Sequence, residues 1–245
     1  MPDAIAASLP LAEIAPGLAV RGIAPPLRLV DYRLIAFDMD ATLGNIECID
    51  EVADVAGRGA EVAAITAAAM RGEIADFKTS LRRRVAMLRG TTLAQLEEVR
   101  QQRHRPNPGA EALLAACRAA GLYTVLVSGG FTFFAEPFAA KLGMDFVRAN
   151  VLEIEDGALT GRLLEQPWGD IVDGAQKRAT LLDRCAALGI APQQAIAVGD
   201  GANDLPMMQA AGLSVGWHAK PRVREYANVV IDTGGLERLL DVVRP

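Results

Sequence analysis

The chain has 245 residues, 51% of them hydrophobic and 22% charged, and a formal net charge of −5. That composition excludes a disordered chain, and the mild acidity excludes a basic surface for nucleic acid or anionic membrane. No apolar run approaches the roughly 18–20 residues that span a bilayer, so a globular protein with a full core and room for a sizeable insertion is expected.

Residues 1–32 are rich in Ala and broken by Pro10, Pro16, Pro25 and Pro26. They lack the basic start and continuous apolar core of a signal peptide and read as an irregular N-terminal arm, with one short helix at most. Residues 33–37 read as a buried strand, Leu34-Ile35-Ala36-Phe37 being apolar throughout. Asp38 and Asp40 follow at its C-terminal end, where open α/β sheets place their ligands. Alternate side chains of a strand share a face, so both carboxylates can enter one pocket. Clustered there they repel each other unless a proton or a metal ion intervenes.

Helical spacing then marks residues 47–56, 60–71, 76–88 and 93–103, broken by Gly57-Arg58-Gly59, Gly72 and Gly90-Thr91. Such an insertion directly after the first strand hangs over the strand ends as a cap. Arg105-Pro106-Asn107-Pro108-Gly109 returns the chain to the core. Strand patterns at 123–127, 145–149, 195–199, 213–216 and 228–231 alternate with helical ones, which predicts a parallel sheet. Asp156-Gly157, between alternating apolar residues, predicts a β-hairpin within 151–163. The expected fold is therefore α/β: a Rossmann-like parallel sheet core, a helical cap inserted after the first strand, and a small β-hairpin. Its division is an arm at 1–32, a core at 33–44 and 106–245, and a cap at 45–105.

Three further motifs lie at strand ends or helix starts. Ser128-Gly129-Gly130 offers a hydroxyl and open backbone N–H groups to phosphate oxygens, although the same tripeptide also makes a plain turn. Lys177 opens a helix, where it is either a fixed charge for a phosphate or a solvated surface lysine. Gly199-Asp200-Gly201-Ala202-Asn203-Asp204 sets carboxylates in a glycine-rich turn suited to a hard cation such as Mg²⁺. Asp204 stands where a dinucleotide fingerprint needs its third glycine, and a Walker loop is absent. Cys48, Cys117 and Cys185 are few and far apart, which fits reduced thiols in a cytoplasmic protein. His104, His218, Trp168 and Trp217 read as packing or surface residues.

In this order, Asp-x-Asp-x-Thr, Ser-Gly-Gly, a lysine and Gly-Asp-Gly-x-Asn-Asp resemble the haloacid-dehalogenase-like phosphatases. Ile46-Glu47-Cys48-Ile49-Asp50, Met70 through Phe77 to Val85, and Gly199 to Asp204 narrow the resemblance to the phosphoserine phosphatase branch, from about residue 33 to the C-terminus. The resemblance implies an Mg²⁺-dependent phosphomonoester hydrolase acting on O-phospho-L-serine, the last step of L-serine synthesis. It makes Asp38 the nucleophile of an aspartyl-phosphate and Asp40 the general acid and base. It gives the metal to Asp38, the backbone carbonyl of Asp40, and Asp200, with Asp204 acting through water or on the loop. Ser128, Gly129 and Lys177 would hold the phosphate, and Asn203 the phosphate or substrate. In the cap, Glu47 would bind the substrate ammonium and Arg84 its carboxylate, between apolar walls from Met70 and Phe77.

On the residues alone, Glu47 also reads as a helix cap and Arg82-Arg83-Arg84 as a solvated stripe. Two departures from the family pattern stand out: Ala41 replaces a usual Ser, and Ala75 is an additional residue before Phe77. A phosphatase or phosphotransferase for another small amino-alcohol phosphate is the alternative expectation, and a non-catalytic phosphometabolite sensor a third. The partner is a small phosphomonoester, with neither nucleic acid nor membrane.

Overall fold

A computed structural model describes residues 9–245. Residues 1–8 of the expected arm lie outside the described residues. The rest of the arm corrects its reading as irregular. Strands β1 (Ala12–Ala15) and β2 (Leu18–Val20) form an antiparallel hairpin turned at Gly17, whose φ is 66°. The wholly buried β2 pairs antiparallel with Val229–Ile231. A three-residue apolar run between Gly17 and Arg21 carries too little periodicity to be read, and its partner lies at the far end of the chain.

A short strand, β3 (Leu27–Arg28), precedes β4 (Leu34–Phe37). Along β4, Leu34 and Ala36 join the apolar cluster on one face and Ile35 and Phe37 that on the other. A strand covered on both faces demands this alternation. Four helices follow: α1 (Cys48–Val55), α2 (Gly59–Met70), α3 (Phe77–Met87) and α4 (Leu93–Gln102). Asp76 caps α3, its Oδ1 accepting from Thr79 N–H at 2.8 Å, and Thr92 with Gln95 forms a capping box for α4. Both satisfy N–H groups that a helix start leaves orphaned.

The remaining elements alternate. They are α5 (Ala110–Ala119), β5 (Tyr123–Phe131), α6 (Thr132–Leu142), β6 (Phe146–Glu155), β7 (Ala158–Leu164), α7 (Gly174–Leu188), β8 (Ala195–Gly199), α8 (Leu205–Ala210), β9 (Leu213–Trp217), α9 (Pro221–Arg224), β10 (Val229–Ile231) and β11 (Val243–Arg244). The main sheet has the order β1-β2-β10-β9-β8-β4-β5-β6-β7, while β3 and β11 pair apart from it. Pairing is parallel from β10 through β6 and antiparallel at both margins. Chain order reverses around β4, which lies between β8 and β5. The C-terminal end of β4 is thus the switch point where such sheets open a ligand crevice.

Two strands run further than their sequence pattern predicts. β5 continues through Ser128-Gly129-Gly130 to Phe131, with a register shift against β6 between Val127 and Phe131. The tripeptide is thus strand and not the turn its glycines signal. The glycines serve close approach: a Cβ on Gly129 would lie 3.0 Å from the Phe77 ring, and one on Gly130 would lie 2.8 Å from Asp40 Oδ2. β6 likewise runs past residue 149 straight into the β6–β7 hairpin.

Two adjacent segments join the four helices to the sheet. Asn45 N–H donates to Arg105 O at 3.0 Å, and Arg105 N–H to Asn45 Oδ1 at 2.7 Å. Asn107 Nδ2 donates to the carbonyls of Thr42 and Gly44 at 2.8 and 2.9 Å. Among the described residues, no helix is long and apolar enough to cross a membrane.

Candidate active site

β4 sets Asp38 at the switch point, its N–H donating to Val198 O at 3.0 Å. The chain then turns sharply through Met39–Leu43, with Ala41 in the left-handed region at φ 52°. This turn brings Asp40 back beside Asp38. α7 supplies Lys177 from its first turns, after Asp173 caps the helix by accepting from Gln176 N–H at 2.8 Å. The fully buried Lys177 ammonium donates to Asp38 Oδ1 at 2.5 Å and to Asp204 Oδ1 at 2.7 Å. Asp204 Oδ2 accepts from the N–H groups of Asp200 and Gly201 at 3.1 and 3.0 Å. One carboxylate therefore both pairs with the lysine and shapes the turn after β8.

Oxygens of Asp38, Asp200 and Asp204 lie within 4.8 Å of one another. Burial and the neighbouring Asp204 push the Asp38 carboxyl well above its ordinary range, against the pull of Lys177. Burial opposes the charge on Lys177, but Asp204 and Asp38 outweigh it and hold the ammonium more firmly charged than usual. The Lys220 ammonium stands 2.9 Å from Asp200 Oδ2. Three buried carboxylates against two ammonium groups leave an all-oxygen donor set that fits a hard divalent cation. Asp40 is pushed up to about 7, by burial first and then by the charge of Glu47, while hydrogen bonding from Cys48 works the other way. A carboxyl in that range can give and take a proton near neutrality.

Gly129 of β5 and Asp38, Asp40, Asp200 and Asn203 from the turns after β4 and β8, with Glu47, Met70, Phe77 and Arg84 from the helical insertion, line one cavity of about 280 Å³. Ser128, Lys177 and Asp204 are fully buried behind its wall. Met70 stands at the rim, 83% exposed. The additional Ala75 falls in the segment between α2 and α3, so Phe77 still opens α3 with its ring against Gly129. Glu47 precedes α1 but makes no capping hydrogen bond. The arginine stripe divides. Arg82 pairs with Asp170 at the surface, whereas Arg84 enters the cavity, its buried Nε without a hydrogen-bond partner among the described residues.

A family model described as haloacid dehalogenase-like hydrolase matches residues 35–209. The chain belongs to that family. The hydrolase is 65% identical to the phosphoserine phosphatase of Albidiferax ferrireducens over 232 residues, covering 95% of this chain and 98% of the relative. It is 63% identical, with the same coverage, to the phosphoserine phosphatase of a Polaromonas species. A solved structure of a phosphoserine phosphatase with a phospho-aspartyl intermediate analogue is similar at a TM-score of 0.79 and 37% identity, over 87% of this chain and 99% of that one.

Several residues of the hydrolase's site escape sequence reading. Thr42 belongs to the Asp-x-Asp-x-Thr motif but takes no role in that reading, and its Oγ1 lies 3.5 Å from Asp200 Oδ1; Asp50 joins Glu47 in the charge around Arg84. Asp50 was legible in principle, being one helical turn beyond Glu47. Lys220, which lines the cavity, and Asn150, which lies behind it on β6, carry no local signal, since each comes to the site's surroundings through a strand or turn far along the chain. His104 is buried and stacked on Phe138 at 4.3 Å, and Trp168 holds the Arg148 guanidinium 5.3 Å from its ring centre. Both are packing residues. Cys48, Cys117 and Cys185 are free and buried.

Proposed function

We propose that the protein hydrolyses O-phospho-L-serine to L-serine and phosphate, in the cytoplasm and as the last step of L-serine synthesis. The observation that carries this reading is one cavity joining a carboxylate pair, Asp38 and Asp40, to an acidic and a guanidinium group, Glu47 and Arg84. A phosphorylated amino acid presents three charged groups: Glu47 opposes the ammonium, Arg84 the carboxylate, and the Lys177 and Lys220 ammonium groups beside Asp38 and Asp200 the phosphate. The two curated relatives bear the name of that activity over nearly the whole chain.

In this reading Asp38 attacks phosphorus, the ester P–O bond breaks, and Asp40 delivers its proton to the departing serine oxygen. Asp40, now ionised, takes a proton from water as the water oxygen attacks phosphorus. The bond to Asp38 then breaks and phosphate leaves. A carboxyl that titrates near 7 suits both halves. Ser128, the Gly129 N–H and Lys177 oppose charge spreading over the equatorial oxygens, and Asn203 contacts the phosphate. Asp38, Asp200 and the Asp40 carbonyl would hold Mg²⁺, with Asp204 behind them; the ion supplies charge neutralisation between carboxylate and phosphate.

Glu47 takes the substrate ammonium, and Arg84 takes the carboxylate through the donors it does not spend inside the protein. Phe77 and Met70 close the apolar sides. Residues 45–105 act as the cap, with the paired segments around Asn45 and Arg105 as its hinge. The core is 33–44 with 106–245.

The test is phosphate release with Mg²⁺ from O-phospho-L-serine, phosphoethanolamine and 3-phosphoglycerate. The second substrate lacks the carboxylate and the third the ammonium. Loss of a charged contact costs at least about 2 kcal/mol, or roughly thirtyfold in kcat/KM. Equal rates on all three would overturn the substrate assignment, and binding without turnover would overturn the enzyme.

A further inference from the structure

The geometry points to Asn150 as a positioning residue that sets both halves of the phosphate cradle from beneath. It touches neither the cavity nor the reacting atoms, and the inference rests on the phosphatase reading above.

Asn150 sits on β6, fully buried, directly beside the stretch of β5 that carries Ser128-Gly129-Gly130. Its Nδ2 donates to Gly129 O at 2.7 Å, and its Oδ1 accepts from Val172 N–H at 2.8 Å. One side chain thus ties together two segments that meet nowhere in sequence. A buried carboxamide satisfied at both ends is rigid, and leaving either end unmade is expensive.

The first tie acts through a peptide plane. Holding the Gly129 carbonyl fixes the planar unit that carries the Gly130 N–H. That N–H donates to Ser128 Oγ at 2.8 Å. One of the hydroxyl's two lone pairs is thereby engaged within the strand, while its hydrogen has no acceptor among the described residues. Ser128 is left with one unspent donor, the form in which it can serve a phosphate oxygen. No side chain other than glycine could occupy this plane freely, since Phe77, Val172 O and Asp40 crowd the Gly129 and Gly130 Cα atoms.

The second tie acts on α7. Val172 immediately precedes Asp173, the residue that caps α7 and whose carbonyl accepts from Lys177 N–H at 2.8 Å. Anchoring Val172 therefore fixes where the helix begins, and with it the height at which Lys177 meets Asp38. Asn150 couples the hydroxyl side of the cradle to its ammonium side.

The test compares wild type with Asn150→Asp and Asn150→Leu at pH 8. The aspartate keeps the size and the acceptor for Val172 N–H and replaces the donor to Gly129. The leucine removes both. Affinity for inorganic phosphate is measured by calorimetry with Mg²⁺ present, and kcat and KM with p-nitrophenyl phosphate and O-phospho-L-serine. Asn150→Asp is expected to remain folded, to bind phosphate at least tenfold more weakly and to lose at least tenfold in kcat on both esters. The preference for phosphoserine over phosphoethanolamine, set in the cap and measured by adding phosphoethanolamine as a third substrate, should stay unchanged. A purely structural residue would lower Tm and leave the phosphate affinity of the folded protein unmoved. Phosphate affinity within twofold of wild type in a folded Asn150→Asp variant would overturn the inference. Wild type active on p-nitrophenyl phosphate but not on phosphoserine would overturn the substrate assignment alone, and Asn150 would then be read on the synthetic ester.

Discussion

The Lys220 ammonium lies 2.9 Å from Asp200 Oδ2, on a side chain that is otherwise 59% exposed. It is a tethered cation held against one corner of the acidic triad. A divalent ion taking Asp200 must displace it or bear its repulsion, which at this spacing is worth roughly 1 kcal/mol or more in a solvated setting. Lys220→Met is therefore expected to bind Mg²⁺ about fivefold more tightly in the absence of substrate, measured by calorimetry. It should also lower the Tm of the metal-free protein, because Asp200 loses its counter-ion. Unchanged or weaker Mg²⁺ binding would contradict this.

Selectivity is predicted to separate by residue. Arg84→Met should lose about thirtyfold in kcat/KM on phosphoserine while leaving phosphoethanolamine nearly unaffected. Glu47→Gln should lose as much on phosphoserine and much less on 3-phosphoglycerate, which feels only the lowering of the Asp40 carboxyl that follows loss of the Glu47 charge. Steady-state kinetics on the three esters checks both.

The helical insertion is also fastened to the sheet at the surface. Lys78 on α3 pairs with Asp170 at 2.9 Å and with Asp173 at 3.7 Å, and Arg82 pairs with Asp170 as well. Lys78, Arg82 and Asp170 are about one-third exposed or more, so the latch is worth no more than roughly 1 kcal/mol after screening. Asp170→Asn is expected to raise KM for phosphoserine two- to fivefold with kcat equal or higher, and to remove most of the salt dependence of KM between 20 and about 300 mM salt. A salt response equal to that of wild type would exclude the latch.

His104 gives a pH signature away from the chemistry. Burial, reinforced by Arg105, lowers its pKa from 6.5 to about 4. The unfolded chain takes up this proton at higher pH than the folded one, so stability is complete above about 6.5 and falls as pH drops toward 4. The loss reaches roughly 3 kcal/mol. In His104→Gln the fall in Tm between pH 7.5 and 5 should be markedly smaller than in wild type, as calorimetry can show. Equal slopes would remove His104 as the cause.

Legibility in the sequence followed the range of the interactions. The pattern Leu34-Ile35-Ala36-Phe37 followed by Asp38 announces a central strand and its site because burial on both faces leaves a local trace. The four helices of the insertion were legible because their three- and four-residue apolar spacing and the glycine breaks between them are local too. The hairpin of β1 and β2 was not, since Leu18, Ala19 and Val20 are a strand by virtue of Val229–Ile231. Ser128-Gly129-Gly130 looks like a turn because its glycines signal freedom, whereas here they admit Phe77 and Asp40. In the site, the motif residues Asp38, Asp40, Asp200 and Lys177 were visible as types at the right ends of elements. Lys220 and Asn150 were invisible because a lone lysine or asparagine carries no period.

The central claim is that Asp38 carries the phosphoryl group. Wild-type protein mixed with O-phospho-L-serine and Mg²⁺, quenched in acid within milliseconds and digested, should yield a peptide containing Asp38 that bears one phosphoryl group, and Asp38→Asn should show neither that peptide nor turnover. Turnover by wild type with no phosphoryl group on Asp38, or turnover retained in Asp38→Asn, would contradict the account.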